Sequence, residues 1–120
     1  MRILVCEDNN LTLRSIELAL EYADYEVVKA SDGREGISIL EKEEMDLLIT
    51  DINMPYSLGL ELVRYVNTQM KNKIPVIIVT GITQKETEVH AMELGAQCYL
   101  KKPLDLEVLV DKVKQLTEIK

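Results

Sequence analysis

The sequence predicts an α/β fold, a doubly wound parallel sheet of five strands with five helices on its two faces. Two observations carry that reading. Short apolar runs of strand length alternate five times with longer segments of helical period, joined by short connections with no low-complexity linker. Two of the runs, Leu47–Ile49 and Val76–Val79, are apolar without a break, as strands covered on both faces should be. Right-handed crossovers between parallel strands then send helices to both faces.

The strand-length runs are Ile3–Cys6, Glu26–Ala30, Leu47–Thr50, Val76–Thr80 and Cys98–Leu100, several of them rich in β-branched residues. Between them, Leu13, Ile16, Leu20 and Ala23 recur on one face of a first helix, and Ile37 with Leu40 on one face of a second. Leu60, Val63 and either Val66 or Asn67 mark a third, and Val89, Met92 and Leu94 a fourth. Leu106, Leu109, Val110 and Val113 mark a fifth. Two helix starts carry capping-box signatures, Asp32-Gly-Arg-Glu35 and Thr83-Gln-Lys-Glu86, in which a side-chain oxygen takes an orphaned first-turn N–H. Gly95 suits a left-handed cap closing the fourth helix.

Composition bounds what such a chain can do. Its 120 residues fit one compact domain spanning 1–120, and 47% hydrophobic residues suffice for a real core. With 21 acids against 14 bases the formal charge is −7. That balance argues against nucleic acid or an anionic membrane as a direct ligand, because phosphates need clustered Lys and Arg. Cys6 and Cys98 each sit in a short apolar run and read as buried, reduced, inert thiols. The N-terminus turns acidic at Glu7 and Asp8, too early for a signal peptide, and no apolar run is long enough to span a bilayer. The expected location is cytoplasmic.

In doubly wound sheets ligands sit outside the carboxyl ends of the strands, near the reversal in strand order. Here those ends carry Glu7-Asp8, Asp51, Thr80-Gly81 and Lys101-Lys102-Pro103. Three acids at one sheet edge repel each other unless something offsets them. A hard divalent cation does so best, and Mg²⁺ suits a few carboxylates with carbonyls and waters. A single acid would read as a loop cap; three converging from two strands read as a metal site. A lysine opposite them suits a phosphoryl group, whose three anionic oxygens have use for an ammonium. Thr80 could donate its hydroxyl to one of the same oxygens. Asp51, which follows the strand between the other contributors, is the candidate to attack phosphorus and become an acyl phosphate.

These pieces, in this order, resemble the receiver domains of two-component response regulators, of the chemotaxis-regulator type, over essentially the whole chain. The matching residues are Glu7-Asp8, Asp51-Ile-Asn-Met-Pro55 with Gly59, Thr80, and Tyr99-Leu-Lys-Lys102-Pro103. The resemblance implies a flavodoxin-like strand order of 2-1-3-4-5. It implies that Asp51 takes a phosphoryl group from a histidine kinase or phosphotransfer protein, in a reaction dependent on Mg²⁺. Glu7 and Asp8 would bind the metal, one of them through water, together with Asp51 and the backbone carbonyl of Asn53. Lys102 would pair with the phosphoryl group, and the bond before Pro103 would be cis. Thr80 and Tyr99 would form the switch, the ring moving inward when Thr80 is drawn to the phosphate. The output surface would be the fourth helix, fifth strand and fifth helix. It would act on a downstream protein, an output domain or a second copy in a phosphorylation-dependent homodimer.

Departures from the family pattern are small. Gly81 stands where alanine is more usual, which would loosen the following loop, and Tyr56-Ser57-Leu58 is less typical and carries no assigned role. Lys101 reads as a solvated strand-edge charge, His90 as an exposed or half-buried helix residue, and Met54 and Met92 as packing. Asn53 and Ile82 flank the expected path of water to an acyl phosphate, where a bulky Ile82 would slow self-hydrolysis.

Three other classes compete. An aspartyl-phosphate phosphohydrolase would want a second acid two residues after the nucleophile, where Asn53 stands, and room for a cap. A nucleotide or flavin module would want a Gly- or Ser/Thr-rich loop after the first strand, where Glu7-Asp8-Asn9-Asn10 has the wrong charge. A receiver that binds partners without phosphorylation would not need the full residue set. The sequence therefore favours a self-phosphorylating signalling switch over a turnover enzyme.

Overall fold

The computed structural model describes residues 1–53, 59–82 and 84–118. The elements alternate strictly along the chain. They are β1 (Arg2–Cys6), α1 (Asn10–Tyr22), β2 (Glu26–Ala30), α2 (Gly33–Lys42), β3 (Leu47–Thr50), α3 (Gly59–Thr68), β4 (Val76–Thr80), α4 (Lys85–Glu93), β5 (Cys98–Lys101) and α5 (Leu106–Thr117). All neighbouring strands pair in parallel, in the order β2-β1-β3-β4-β5. The fold is thus the flavodoxin-like one expected, and the order reverses between β1 and β3.

Strand alternation divides the apolar residues between two cores. Ile3 and Val5 of β1, Leu47 and Ile49 of β3, and Ile77 and Val79 of β4 face α1 and α5, meeting Ile16, Leu20, Leu109 and Val113. The intervening Leu4, Cys6, Leu48, Val76 and Ile78 face the other way, against Leu40, Leu62, Val63, Val66 and Ala91. Every residue of β3 and β4 is buried, which is why those runs are unbroken in the sequence. The edge strands β2 and β5 are only partly covered.

The helix ends are chemically explained. The N–H of Glu35 donates to Asp32 Oδ1 at 2.8 Å, as the first capping box requires. The return bond lands one residue earlier than in the standard box, because Glu35 Oε1 accepts from the Ser31 N–H at 2.8 Å. Asn9 caps α1 by accepting from the Thr12 N–H at 3.0 Å, and Asp105 caps α5 through the N–H groups of Glu107 and Val108. After α4 the chain turns at Gly95, whose φ of +119° and whose approach to Asn67, 3.0 Å from where a Cβ would stand, both call for glycine.

One helix face differs from expectation. Val89 and Met92 of α4 are exposed, at 43% and 41%, and the residue α4 buries is Ala91, with Leu94 packed beside the same core. Helix α4 is polar nearly all round, so its small alanine could lie flat on the sheet and leave the larger apolar side chains outside. Thr83, proposed to cap this helix, lies outside the described residues, as do Met54, Pro55, Tyr56, Ser57 and Leu58. The N-cap observed is Gln84, without a side-chain bond.

Candidate functional site

The sheet ladder continues one residue beyond three strand ends, and this places the polar cluster. The Glu7 N–H donates to the Ala30 carbonyl at 3.0 Å, the Asp51 N–H to the Cys6 carbonyl at 3.0 Å, and the Lys102 N–H to the Thr80 carbonyl at 2.9 Å. The backbones of Glu7, Asp51 and Lys102 are therefore held by the sheet itself. Their side chains converge at the edge where the strand order reverses.

Lys102 joins the two buried carboxylates. Its Nζ lies 2.8 Å from Asp51 Oδ2 and 2.9 Å from Glu7 Oε1. Glu7 is 2% exposed and Asp51 4%, so neither can rely on water for solvation. The remaining oxygens are held by backbone: Asn53 N–H donates to Asp51 Oδ1 at 2.8 Å, and Asn9 N–H to Glu7 Oε2 at 3.1 Å. Burial raises the Glu7 carboxyl above its ordinary value, with the Lys102 and Asn9 hydrogen bonds opposing it and the Asp51 charge adding to it. For Lys102, burial works to lower the ammonium, but the bonds to Asp51 and Glu7 outweigh it and the group sits above its ordinary value.

Asp8 stands exposed at the rim, and ligand oxygens of Glu7, Asp8 and Asp51 all lie within 4.8 Å of one another. Three carboxylates against one ammonium leave two negative charges, the formal complement of a divalent cation. The hard oxygen donors fit Mg²⁺ or Ca²⁺ chemically. Asn53 adjoins this cluster through its backbone and exposes its side chain.

Thr80 is fully buried at the end of β4, its hydroxyl oxygen accepting from the Ile82 N–H at 3.3 Å. Tyr99, half-buried on β5, donates its hydroxyl to the Ile82 carbonyl at 3.0 Å. Burial, then the charges of Glu88 and Asp51, raise the Tyr99 hydroxyl above its ordinary value. Ile82 is therefore gripped through both backbone groups. Lys101 reaches Glu88 of α4 at 3.8 Å on the surface, and the Lys102–Pro103 bond is cis. Cys6 and Cys98 are both free thiols, raised above the ordinary range chiefly by burial. His90 is exposed. Among the described residues no helix is long and apolar enough to cross a membrane.

A family model described as the response regulator receiver domain matches residues 3–114. The chain belongs to that family. The receiver domain is 35% identical over 114 residues to the transcriptional regulatory protein CrdR of Helicobacter pylori, covering 95% of this chain and 54% of that protein. It is 38% identical over 114 residues to the CAI-1 autoinducer sensor kinase/phosphatase CqsS of Vibrio cholerae, covering 93% of this chain and 17% of that one. The CheY-like receiver domain protein of Methanospirillum hungatei superposes with a TM-score of 0.91 at 32% identity, covering 98% of this chain and 93% of that chain. The chain spans about half the length of the transcriptional regulators it matches, 48–54% for the first four.

Of the residues named from the sequence, the structure brings Glu7, Asp8, Asp51 and Lys102 together; two of the groups that hold the neighbourhood were not named. Asn9, whose N–H fixes Glu7, was legible as an N-cap residue immediately before a helix. The Ile82 carbonyl had no signal, since a backbone acceptor carries no residue identity.

Proposed function

We propose that Asp51 is the phosphoacceptor of a two-component signalling switch, taking its phosphoryl group from a histidine kinase or phosphotransfer protein. The observation that carries this is Lys102, held jointly by Asp51 at 2.8 Å and Glu7 at 2.9 Å beside the exposed carboxylate of Asp8. A purely structural ion pair would want one acid per base; this cluster keeps an excess of negative charge around one ammonium. Glu7, Asp8 and Asp51, with the Asn53 carbonyl, would hold Mg²⁺. When bound, that ion supplies neutralisation of the charge on the transferring group.

The residues divide the work. Asn53 N–H pins Asp51 Oδ1, while among the described residues Oδ2 is bonded by the Lys102 ammonium. Oδ2 attacks phosphorus as Lys102 shifts to a phosphoryl oxygen, and the donor imidazole leaves with the electrons of its P–N bond. Thr80 turns its hydroxyl hydrogen to a second oxygen. Its movement alters the Ile82 backbone that Tyr99 also holds, and so reaches the α4–β5–α5 surface. That surface then engages a downstream protein, an output domain or a second copy, in the cytoplasm. A phosphohydrolase reading lacks an acid at position 53 and gains nothing from the geometry.

Incubation with Mg²⁺ and a small phosphodonor, followed by intact mass, tests the assignment. One phosphoryl adduct is expected, dependent on Mg²⁺ and lost in Asp51→Asn. An adduct that survives this substitution, or none at all, overturns it.

A further inference from the structure

Thr50, the last residue of β3, is a buried polar side chain to which the proposed chemistry gives no task. Its neighbours in register are Cys6 of β1 and Ile78 of β4. It stands two residues after Leu48, so its side chain lies on the sheet face covered by α2, α3 and α4. A hydroxyl in so apolar a place needs a partner. It finds one a single residue ahead: Thr50 Oγ1 donates to the Asp51 carbonyl at 3.0 Å. Valine, of the same shape, would fill the space with no polar group to satisfy. The hydroxyl, not the volume, is what threonine adds here.

We propose that Thr50 is a positioning residue for the Asp51 carboxylate. The peptide plane before Asp51 is held by the bond from its N–H to the Cys6 carbonyl at 3.0 Å. The plane after it is held by the Thr50 hydroxyl. With both flanking planes tied, φ and ψ of Asp51 are set, and with them the direction of its Cα–Cβ bond. The second plane also leads the chain to Asn53, whose N–H holds Asp51 Oδ1 at 2.8 Å. Ile52, buried in the core on the same side of the sheet, anchors that plane from its other end. Oδ2 is thereby kept facing the Lys102 ammonium at 2.8 Å. Without the Thr50 hydroxyl the 51–52 peptide can rotate, which loosens the Asn53 bond and widens the range of directions that Oδ2 takes. A misdirected attacking oxygen lowers the rate of transfer while the fold stays intact.

Thr50→Val and Thr50→Ser in the full chain test this by two readings. One is amide exchange followed by NMR; the other is the rate of adduct formation from a small phosphodonor at saturating Mg²⁺. Thr50→Val should exchange the Asn53 amide about tenfold faster and form the adduct about tenfold more slowly, the worth of one hydrogen bond. The Ile49 amide of β3 should keep its exchange rate, which shows the sheet intact. Thr50→Ser, which retains the hydroxyl, should match the unsubstituted chain in both readings. Either reading left unchanged in Thr50→Val overturns the proposal. So does a general speeding that includes Ile49, or a Thr50→Ser that fails alongside valine, since the lost methyl packing would then be the cause. Because the role rests on Asp51 being the phosphoacceptor, an unsubstituted chain that forms no adduct defeats that reading, and Asn53 exchange alone then decides whether Thr50 holds the carboxylate.

Discussion

Gly36 offers a sharp test of how tightly α2 is packed behind the site. A Cβ at this position would stand 2.7 Å from Cys6 Sγ and 3.1 and 3.3 Å from two Leu62 methyls. Cys6 is 1% exposed and Leu62 is fully buried, so neither has free space to retreat into. On an open helix Gly→Ala would gain about 0.5–1 kcal/mol. Forcing a carbon into a filled core costs about 1–3 kcal/mol. Gly36→Ala should therefore destabilise by about 1–2 kcal/mol, a drop of roughly 4 °C per kcal/mol for a chain of this size. Cys6→Ala alone should cost about 1 kcal/mol, as other one-heavy-atom core truncations do. In the double variant the sulfur is gone, and the combined loss should fall short of the sum by about 1–2 kcal/mol. Urea unfolding of the four proteins measures this directly. Additivity within about 0.5 kcal/mol would mean that the α2–β1 contact is looser than the distances say.

Glu7 and Glu17 should impose opposite pH slopes on stability. Burial raises Glu7 above 4.5, so its contribution is full below that value and is lost as pH rises through the folded pKa. Glu17 is lowered from 4.5 by Arg14 and then Lys29, so its contribution is present above that value and is lost as pH falls through the folded pKa. Melting curves in chelator should flatten on the neutral side in Glu7→Gln and on the acid side in Glu17→Gln; an unaltered profile in either refutes that assignment. Tyr99→Phe removes the donor to the Ile82 carbonyl and should cost about 0.5–1.5 kcal/mol in thermal or urea unfolding. No loss would show that water replaces the bond. Ile82→Ser should speed decay of the Asp51 adduct roughly tenfold, about 1.4 kcal/mol off the barrier. Time-resolved intact mass reads this, and an unchanged half-life would remove Ile82 from the water path.

Most of the fold was legible because burial on both faces writes itself as unbroken apolar runs. Three strands match their predicted limits, and β1 and β5 each extend one residue further, to Arg2 and Lys101. Those extra residues are charged, so their strand character came from backbone pairing that hydropathy does not register. Helix α4 failed for the converse reason: Val89 and Met92 looked like an inner face, whereas a small Ala91 permits closer approach to the sheet. Glu17 gave no signal in the sequence, yet only 7% of it is exposed, and it is sheltered by Arg14 and Lys29. Of the site, the side chains were readable from their positions after strands. Their pairing was not, because nothing in the sequence says that Lys102 rests on Glu7 as well as Asp51.

The main-chain bonds that carry the ladder past the strand ends have a consequence for dynamics. The amides of Glu7, Asp51 and Lys102 are donated to the sheet's own carbonyls and not to loop groups. They should exchange with solvent deuterium only when the whole domain opens, at the rate of the core strands. The adjoining Ile82 amide, held by a hydroxyl at 3.3 Å, should exchange through local fluctuation. The proposed reactive groups would thus stand in a slow-exchanging layer, with the adjoining Ile82 in a faster one. On the proposed function, chemistry on the rigid side would then be felt as motion on the soft one.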